Sequence, residues 1–270
     1  MGNVLDAIKR HHAERKAAAP SEEQPLTAEL QTTATGRSEQ PPCPAAGTDN
    51  YSPVLVAHHN RAGRITEQYR SLRAHLLARY PDERFCIMVT SAEAGEGKTI
   101  TCLNLAFVLA GRRECRTVVM DCDLRKNKVA SLLRANGSPG LTDVLRGTAS
   151  LKDAMRPTVH PNLFFIPAGH AGRGEAGELV ARPEIQDITT QLRRQHDYIL
   201  LDTPPINSVS DASMLGQAVD EALLIVRMNR TRRESVDKAI KLLDMVNVKL
   251  AGLVLTHQQY YIPNYLYRYS

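Results

Sequence analysis

Residues Ser91 to Thr99 read SAEAGEGKT, a run of small residues closing on Gly97-Lys98-Thr99 between a short apolar stretch and a helix-like segment. That composition suits a loop wrapped around phosphate. Small side chains let consecutive backbone N–H groups converge on phosphate oxygens, and the following helix adds the positive end of its dipole. Lys98 brings a mobile cation and Thr99 a hydroxyl for Mg²⁺. The expected ligand is ATP or GTP, held by Ala94, Gly95, Glu96, Gly97, Lys98, Thr99 and Ile100. Ala92 fills the first small position of the pattern.

Two further segments carry acids. Val118-Val119-Met120 runs into Asp121-Cys122-Asp123, and Tyr198-Ile199-Leu200-Leu201 runs into Asp202-Thr203-Pro204-Pro205. Both read as apolar strands whose C-terminal edges carry carboxylates, the edge at which ligands sit in open α/β sheets. Side chains at i and i+2 of an extended chain project to one side, so Asp121 and Asp123 are expected to face together. The two prolines force an abrupt exit after Asp202. Hard oxygen donors suit Mg²⁺, so Thr99, Asp121, Asp123 and Asp202 form the expected metal set, directly or through water. Each aspartate taken alone is about as well explained as a helix cap or turn residue.

These groups need a rigid carrier. Continuous apolar runs at Phe85–Thr90, Val118–Met120, Leu163–Ile166, Tyr198–Leu201, Ala222–Val226 and Leu250–Leu255 lack polar alternation, as strands buried on both faces do. Helical segments are predicted between them at Thr99–Ala110, Leu141–Arg146, Pro183–Arg194, Ser210–Gln217 and Arg232–Val246. The fold class is α/β, with a mostly parallel central sheet flanked by helices. A further helix over 64–79 is expected to pack through Ile65, Tyr69, Leu72 and Leu76, leaving Glu67, Arg70 and Arg73 free for another surface.

The chain has 270 residues, 43% of them hydrophobic, and a formal charge of +5. One sizeable domain is the economical reading. The mild charge, with no dense basic block beyond Arg230-Thr231-Arg232-Arg233, calls for no nucleic-acid partner. No apolar run reaches the roughly 18 to 20 residues of a membrane span, and the first residues lack a signal-peptide core, so a cytoplasmic protein is expected. Five cysteines without CxxC spacing read as reduced thiols. Residues 1–17 could form a short amphipathic segment, 18–53 read as a disordered Pro-rich linker, 54–256 as the folded domain and 257–270 as a flexible tyrosine-rich tail.

Together the loop, Asp121-Cys122-Asp123-Leu124-Arg125 and Leu200-Leu201-Asp202-Thr203-Pro204-Pro205 resemble the Walker A, A′ and B motifs of the bacterial tyrosine kinases of capsule and exopolysaccharide synthesis, P-loop NTPases related to partition and division-site ATPases. Glu67-Gln68-Tyr69-Arg70-Ser71-Leu72-Arg73 is similar to that family's ExxRxxR motif, which lies between subunits of a ring-shaped oligomer. The last eleven residues contain Tyr260, Tyr261, Tyr265, Tyr267 and Tyr269, like the cluster that family members autophosphorylate. The resemblance implies a protein-tyrosine autokinase using ATP and Mg²⁺, with Lys98, Asp121 and Asp123 catalytic, Asp121 nominated as base, Asp123 as metal partner and the roles exchangeable. It also implies a ring-like homo-oligomer and recruitment to the inner membrane face by a separate transmembrane polysaccharide co-polymerase adaptor.

The chain departs from the family pattern at Ala94 and Asn127, where proline is common, and at Thr256, where asparagine closes the last strand near the base. Two alternatives are a partition-type ATPase and a nucleotide-gated scaffold without kinase activity. Partition ATPases usually carry a second lysine early in the loop, where this chain has Glu93.

Overall fold

Seven strands form one sheet in the order β3-β4-β2-β5-β1-β6-β7, every neighbouring pair parallel except β3 with β4. The structure is a computed structural model and describes residues 50–80, 84–112, 114–172, 174–208 and 214–258. The strands are β1 Phe85–Ser91, β2 Thr117–Asp121, β3 Arg156–Pro157, β4 Leu163–Ile166, β5 Tyr198–Asp202, β6 Glu221–Arg227 and β7 Lys249–Thr256. The helices are α1 Val56–His59, α2 Arg64–Arg79, α3 Lys98–Ala110, α4 Lys128–Leu132, α5 Leu141–Leu145, α6 Leu151–Ala154, α7 Glu175–Val180, α8 Glu184–Gln195 and α9 Arg233–Met245, with a 3₁₀ turn at Leu215–Ala218.

Every residue of β1, β2, β4 and β5 is buried, as two covered faces require. Strand alternation divides the core. Met88, Val118, Met120, Ile199 and Leu201 face the layer of α7, α8 and α9, whereas Ile87, Val89, Val119 and Leu200 face the layer of α1, α2 and α3. Helix α8 buries Ile185, Ile188, Thr189 and Leu192, one stripe at helical spacing, with Glu184 and Asp187 in its first turn and Arg193 and Arg194 in its last. Helix α3 is buried at every residue except Ile100, so truncating Leu103 to Ala would cost roughly 2–5 kcal/mol.

The register brings the site together. Asp121 lies abreast of Asp202 on β2 and β5, and Val89 lies abreast of Asp202 on β1, so all three strands deliver their last residues to one edge.

Three sequence expectations need correction. Tyr51, placed in the linker, is buried; its hydroxyl accepts from Val159 N at 3.0 Å, and Ser52 N donates to Leu132 O at 2.9 Å, so the folded domain includes the last residues of the 18–53 segment. Ile65 is 54% exposed and Thr66 takes the inward position instead. Its hydroxyl donates to Asn60 O at 2.6 Å, which an aliphatic side chain could not do. The short helices α1, α4, α6 and α7 carry too few turns to show periodicity and were not expected. Residues 1–49, the first half of the expected helix at Ser210–Gln217, and the five tail tyrosines lie outside the described residues. Cys86, Cys102 and Cys122 are buried free thiols, and Cys115 is a partly exposed one. Among the described residues no helix is long and apolar enough to cross a membrane.

Candidate active site

The loop after β1 turns through two left-handed glycines, Gly95 at φ +82° and Gly97 at φ +93°. Non-glycine residues rarely take that conformation. A Cβ on Gly97 would meet nothing nearer than Thr256 Cγ2 at 3.7 Å, so backbone conformation is what requires glycine there. Glu96, one of the residues expected to hold nucleotide through the loop backbone, turns its side chain into the protein. Its buried carboxylate accepts from Glu93 N at 2.8 Å, from Arg227 N at 3.3 Å and from the Thr231 hydroxyl, while its carbonyl accepts from Thr256 Oγ1 at 2.7 Å. Glu96 thus ties the loop to β6 and β7. Glu93 is also engaged within the chain, accepting from Ser235 Oγ at 2.7 Å.

Beneath the loop is a buried charge cluster. Lys98 Nζ lies 3.0 Å from Asp123 Oδ2 and 3.4 Å from Asp202 Oδ1, and Thr99 Oγ1 donates to Asp202 Oδ2 at 2.7 Å. Burial pulls the Lys98 pKa down, but Asp202 and Asp123 more than offset it, so the ammonium is held above its usual range. Burial raises Asp202, opposed in part by Lys98 and by the Thr99 hydroxyl. Asp121 is pushed well above the carboxylate range by burial, with the nearby Asp202 charge adding to it.

Asp121 and Asp123 both lie by the Lys98 charge but make different contacts. Strand β2 ends at Asp121, the chain turns, and the alternation of an extended strand no longer holds beyond it. Asp121 Oδ1 accepts from Asp123 N at 3.1 Å and Oδ2 from Val129 N at 3.0 Å, which caps the first turn of α4. With both oxygens given to backbone amides, Asp121 is placed to order the segment. Asp123 places Oδ2 3.0 Å from Lys98 Nζ, and its Oδ1 is buried without a hydrogen-bond partner.

Asp202 and the Thr99 hydroxyl are hard oxygen donors of the kind Mg²⁺ takes. Among the described residues no group of three or more His, Cys, Asp and Glu is arranged around a metal position. Of the expected set, Thr99, Asp123 and Asp202 gather around Lys98, whereas both Asp121 oxygens accept from backbone amides.

A cleft of about 350 Å³ opens at this edge, lined by Gly95, Lys98, Thr99, Leu132 and Pro205, and also by Lys126 and Lys128. His257, one residue past β7, lies in its wall. Sequence reasoning overlooked these last three. The available signal was two lysines two apart directly after an acidic strand end.

The motif on α2 divides. Arg70 pairs with Glu67 at 2.7 Å and donates to the Arg61 carbonyl, both at the surface. Arg73, expected to be free, donates to Val108 O at 2.6 Å near the C-terminal end of α3, where carbonyls lack helical partners. Arg79 and Tyr80 both reach Glu221, joining this helix to β6.

Comparison with known proteins agrees with this geometry. An AAA-domain family model matches residues 85–251. Tyrosine-protein kinase YwqD of Bacillus subtilis is 31% identical over 191 residues, which are 70% of this chain and 80% of that protein. Tyrosine-protein kinase wzc of Salmonella typhi is 30% identical over 202 residues, 74% of this chain, and the chain spans only 28% of that relative's length. The solved kinase domain of Escherichia coli tyrosine kinase ETK superposes with a TM-score of 0.70 at 25% identity, covering 77% of this chain and 83% of that one. The chain therefore belongs to the AAA-domain family, among the bacterial tyrosine-protein kinases.

Proposed function

We propose that the protein transfers the terminal phosphoryl group of ATP to tyrosine, chiefly to Tyr260, Tyr261, Tyr265, Tyr267 and Tyr269 of a neighbouring copy, and that this regulates capsule or exopolysaccharide polymerisation and export. The observation that carries the reading is Asp123, whose one oxygen contacts the loop lysine while its other has no partner. A carboxylate so placed can accept a proton beside the phosphate site. A phenol with a pKa near 10 is mostly protonated at neutral pH and needs such an acceptor.

In this mechanism the amides of Gly95 and Gly97 and the Lys98 ammonium bind phosphate oxygens and neutralise charge that builds on them. Lys98 leaves its contacts with Asp123 and Asp202 to do so. Thr99 and Asp202 would hold Mg²⁺, which when bound would supply charge neutralisation at the phosphate, leaving Asp123 Oδ1 open to the acceptor. Asp123 Oδ1 takes the phenolic proton. Asp121, bonded to Asp123 N, positions that carboxylate, so the base role passes from Asp121 to Asp123. Leu132 and Pro205 give the cleft an apolar wall that limits water.

From His257 to Ser270 an extended tail reaches on the order of 45 Å, enough to enter an adjacent cleft. Glu67 and Arg70 remain the assembly groups of a ring-like homo-oligomer, and Arg73 supports them by fixing α2 on α3. A separate transmembrane co-polymerase would recruit the protein to the inner membrane face. Glu93, occupied by Ser235, puts an acid where a partition-type ATPase would extend a lysine to its neighbour.

The test is an anti-phosphotyrosine assay on the full chain with MgATP, with and without the cytosolic segment of a candidate adaptor. Signal is expected, lost in Lys98→Met and in a variant with all five tail tyrosines changed to Phe. ATP hydrolysis without phosphotyrosine under both conditions overturns the reading.

A further inference from the structure

We infer that Lys126 and Lys128 recognise the third phosphate of the bound nucleotide, so that the cleft takes a triphosphate in preference to a diphosphate. This rests on the nucleotide-binding reading above and assigns that site two residues which neither the loop pattern nor the acids foretold.

The first argument is charge. Lys98 is shared between Asp123 and Asp202, and Asp121 lies behind them as a third buried acid. Those carboxylates offset the one ammonium and, in the mechanism above, the charge that Mg²⁺ would bring, so further cationic charge for a third phosphate has to come from the rim. Lys126 and Lys128 provide it. Both line the same cleft as Gly95, Lys98 and Thr99. Both are exposed, and neither makes an ion pair or side-chain hydrogen bond among the described residues. Two like charges left unneutralised two residues apart at a concave site are better satisfied by an anion than by each other.

The second argument is position. The two lysines follow Asp123, the residue that holds the Lys98 ammonium, and the lysine of such a loop reaches the terminal phosphates. The opposite flank of the loop is tied to Arg227, Thr231 and Thr256 through Glu96. A phosphate chain lying in the loop therefore turns its terminal end toward Lys126 and Lys128. A solvent-exposed ammonium on a long flexible stem suits that task as a point charge that closes on phosphate and releases it.

The experiment measures equilibrium binding of fluorescent ATP and ADP analogues, with Mg²⁺, to the full chain and to the Lys126→Gln/Lys128→Gln double variant at about 0.1 M salt, where the screening length is near 10 Å. The variant is expected to bind the ATP analogue about tenfold more weakly and the ADP analogue less than twofold more weakly. Its thermal midpoint should be unchanged because both side chains are exposed, and Lys126→Arg/Lys128→Arg should restore the preference. Equal losses for both nucleotides, or no loss for either, overturn the inference while leaving the nucleotide site in place. Normal nucleotide affinities with a raised KM for a tyrosine peptide overturn it as well, by moving the lysines to the acceptor side. Failure of the unsubstituted chain to bind either analogue defeats the underlying reading and the inference with it.

Discussion

The hydroxyl of Thr256 donates to the main-chain carbonyl of Glu96 across 2.7 Å, so the last residue of β7 holds the phosphate loop from behind. Thr256→Val keeps the shape and removes the donor. It is expected to lower unfolding stability by about 1 kcal/mol and to weaken nucleotide binding. Glu96→Ala, which strands several donors at once, should cost more, about 2–3 kcal/mol by urea denaturation. Equal stabilities of the two variants and the parent would contradict the anchoring role.

Exchanging the two strand-end acids separates their tasks. Asp123→Asn should reduce phosphotyrosine formation by about 10²-fold or more while nucleotide still binds, as loss of a general base does. Asp121→Asn replaces an acceptor of Val129 N with an amide, and should chiefly destabilise the fold, visible as a lower thermal midpoint. If Asp121→Asn abolishes turnover with stability intact, the assignment of the base to Asp123 is wrong.

Arg70 and Arg73 should part company. Arg73→Ala removes a charged donor from the Val108 carbonyl and is expected to cost about 1–2 kcal/mol in dilute protein. Arg70→Ala, at an exposed pair, should leave monomer stability within about 0.5 kcal/mol and reduce assembly seen by sedimentation. A stability loss for Arg70→Ala as large as that for Arg73→Ala would refute the division.

Burial beside the Arg116 charge lowers the pKa of His196 to about 4 from an ordinary 6.5. The folded state therefore prefers neutral imidazole. Its contribution is complete above pH 6.5, falls as the unfolded chain takes up a proton below that value, and levels off near pH 4. Between pH 7 and pH 5 the parent should lose about 2 kcal/mol more than His196→Gln. Parallel pH profiles would exclude His196 as the source.

Transfer between copies is testable by mixing. Lys98→Met protein, inactive alone but with an intact tail, should become labelled when mixed with the active variant that lacks tail tyrosines. Each phosphotyrosine adds about −1.5 to −2 charges, so a fully phosphorylated preparation should sediment as a smaller species. Absence of labelling in the mixture would confine the reaction to single chains.

Much of the scaffold was legible because its signals are local. Six apolar runs appear as strands within a residue or two at each end, since strands covered on both faces leave no polar alternation to confuse them. Lys98, Thr99 and Asp202 were readable for the same reason, being fixed by a loop pattern or by a strand's last position. The different contacts of Asp121 and Asp123 were not readable, because β2 ends at Asp121 and Asp123 lies beyond it. The inward contacts of Glu96 and Arg73 were not readable because their partners, Thr231 and Val108, are distant in sequence, and an inward-turned charge looks like any surface charge until the chain folds. Ile65 and Thr66 exchanged places because a threonine that can bond a carbonyl outcompetes an isoleucine at that helix entry.

The enclosed thiols give the molecule an internal clock for its own opening. Burial drives the Cys86 thiol up to about 12 and holds Cys102 and Cys122 well above the ordinary thiol range, so none offers thiolate to a reagent in the closed fold. Cys102 sits in the second turn of the helix that starts at Lys98, and Cys122 separates Asp121 from Asp123. Maleimide capture at those two sulfurs therefore times excursions of the cleft floor itself, and nucleotide should slow it.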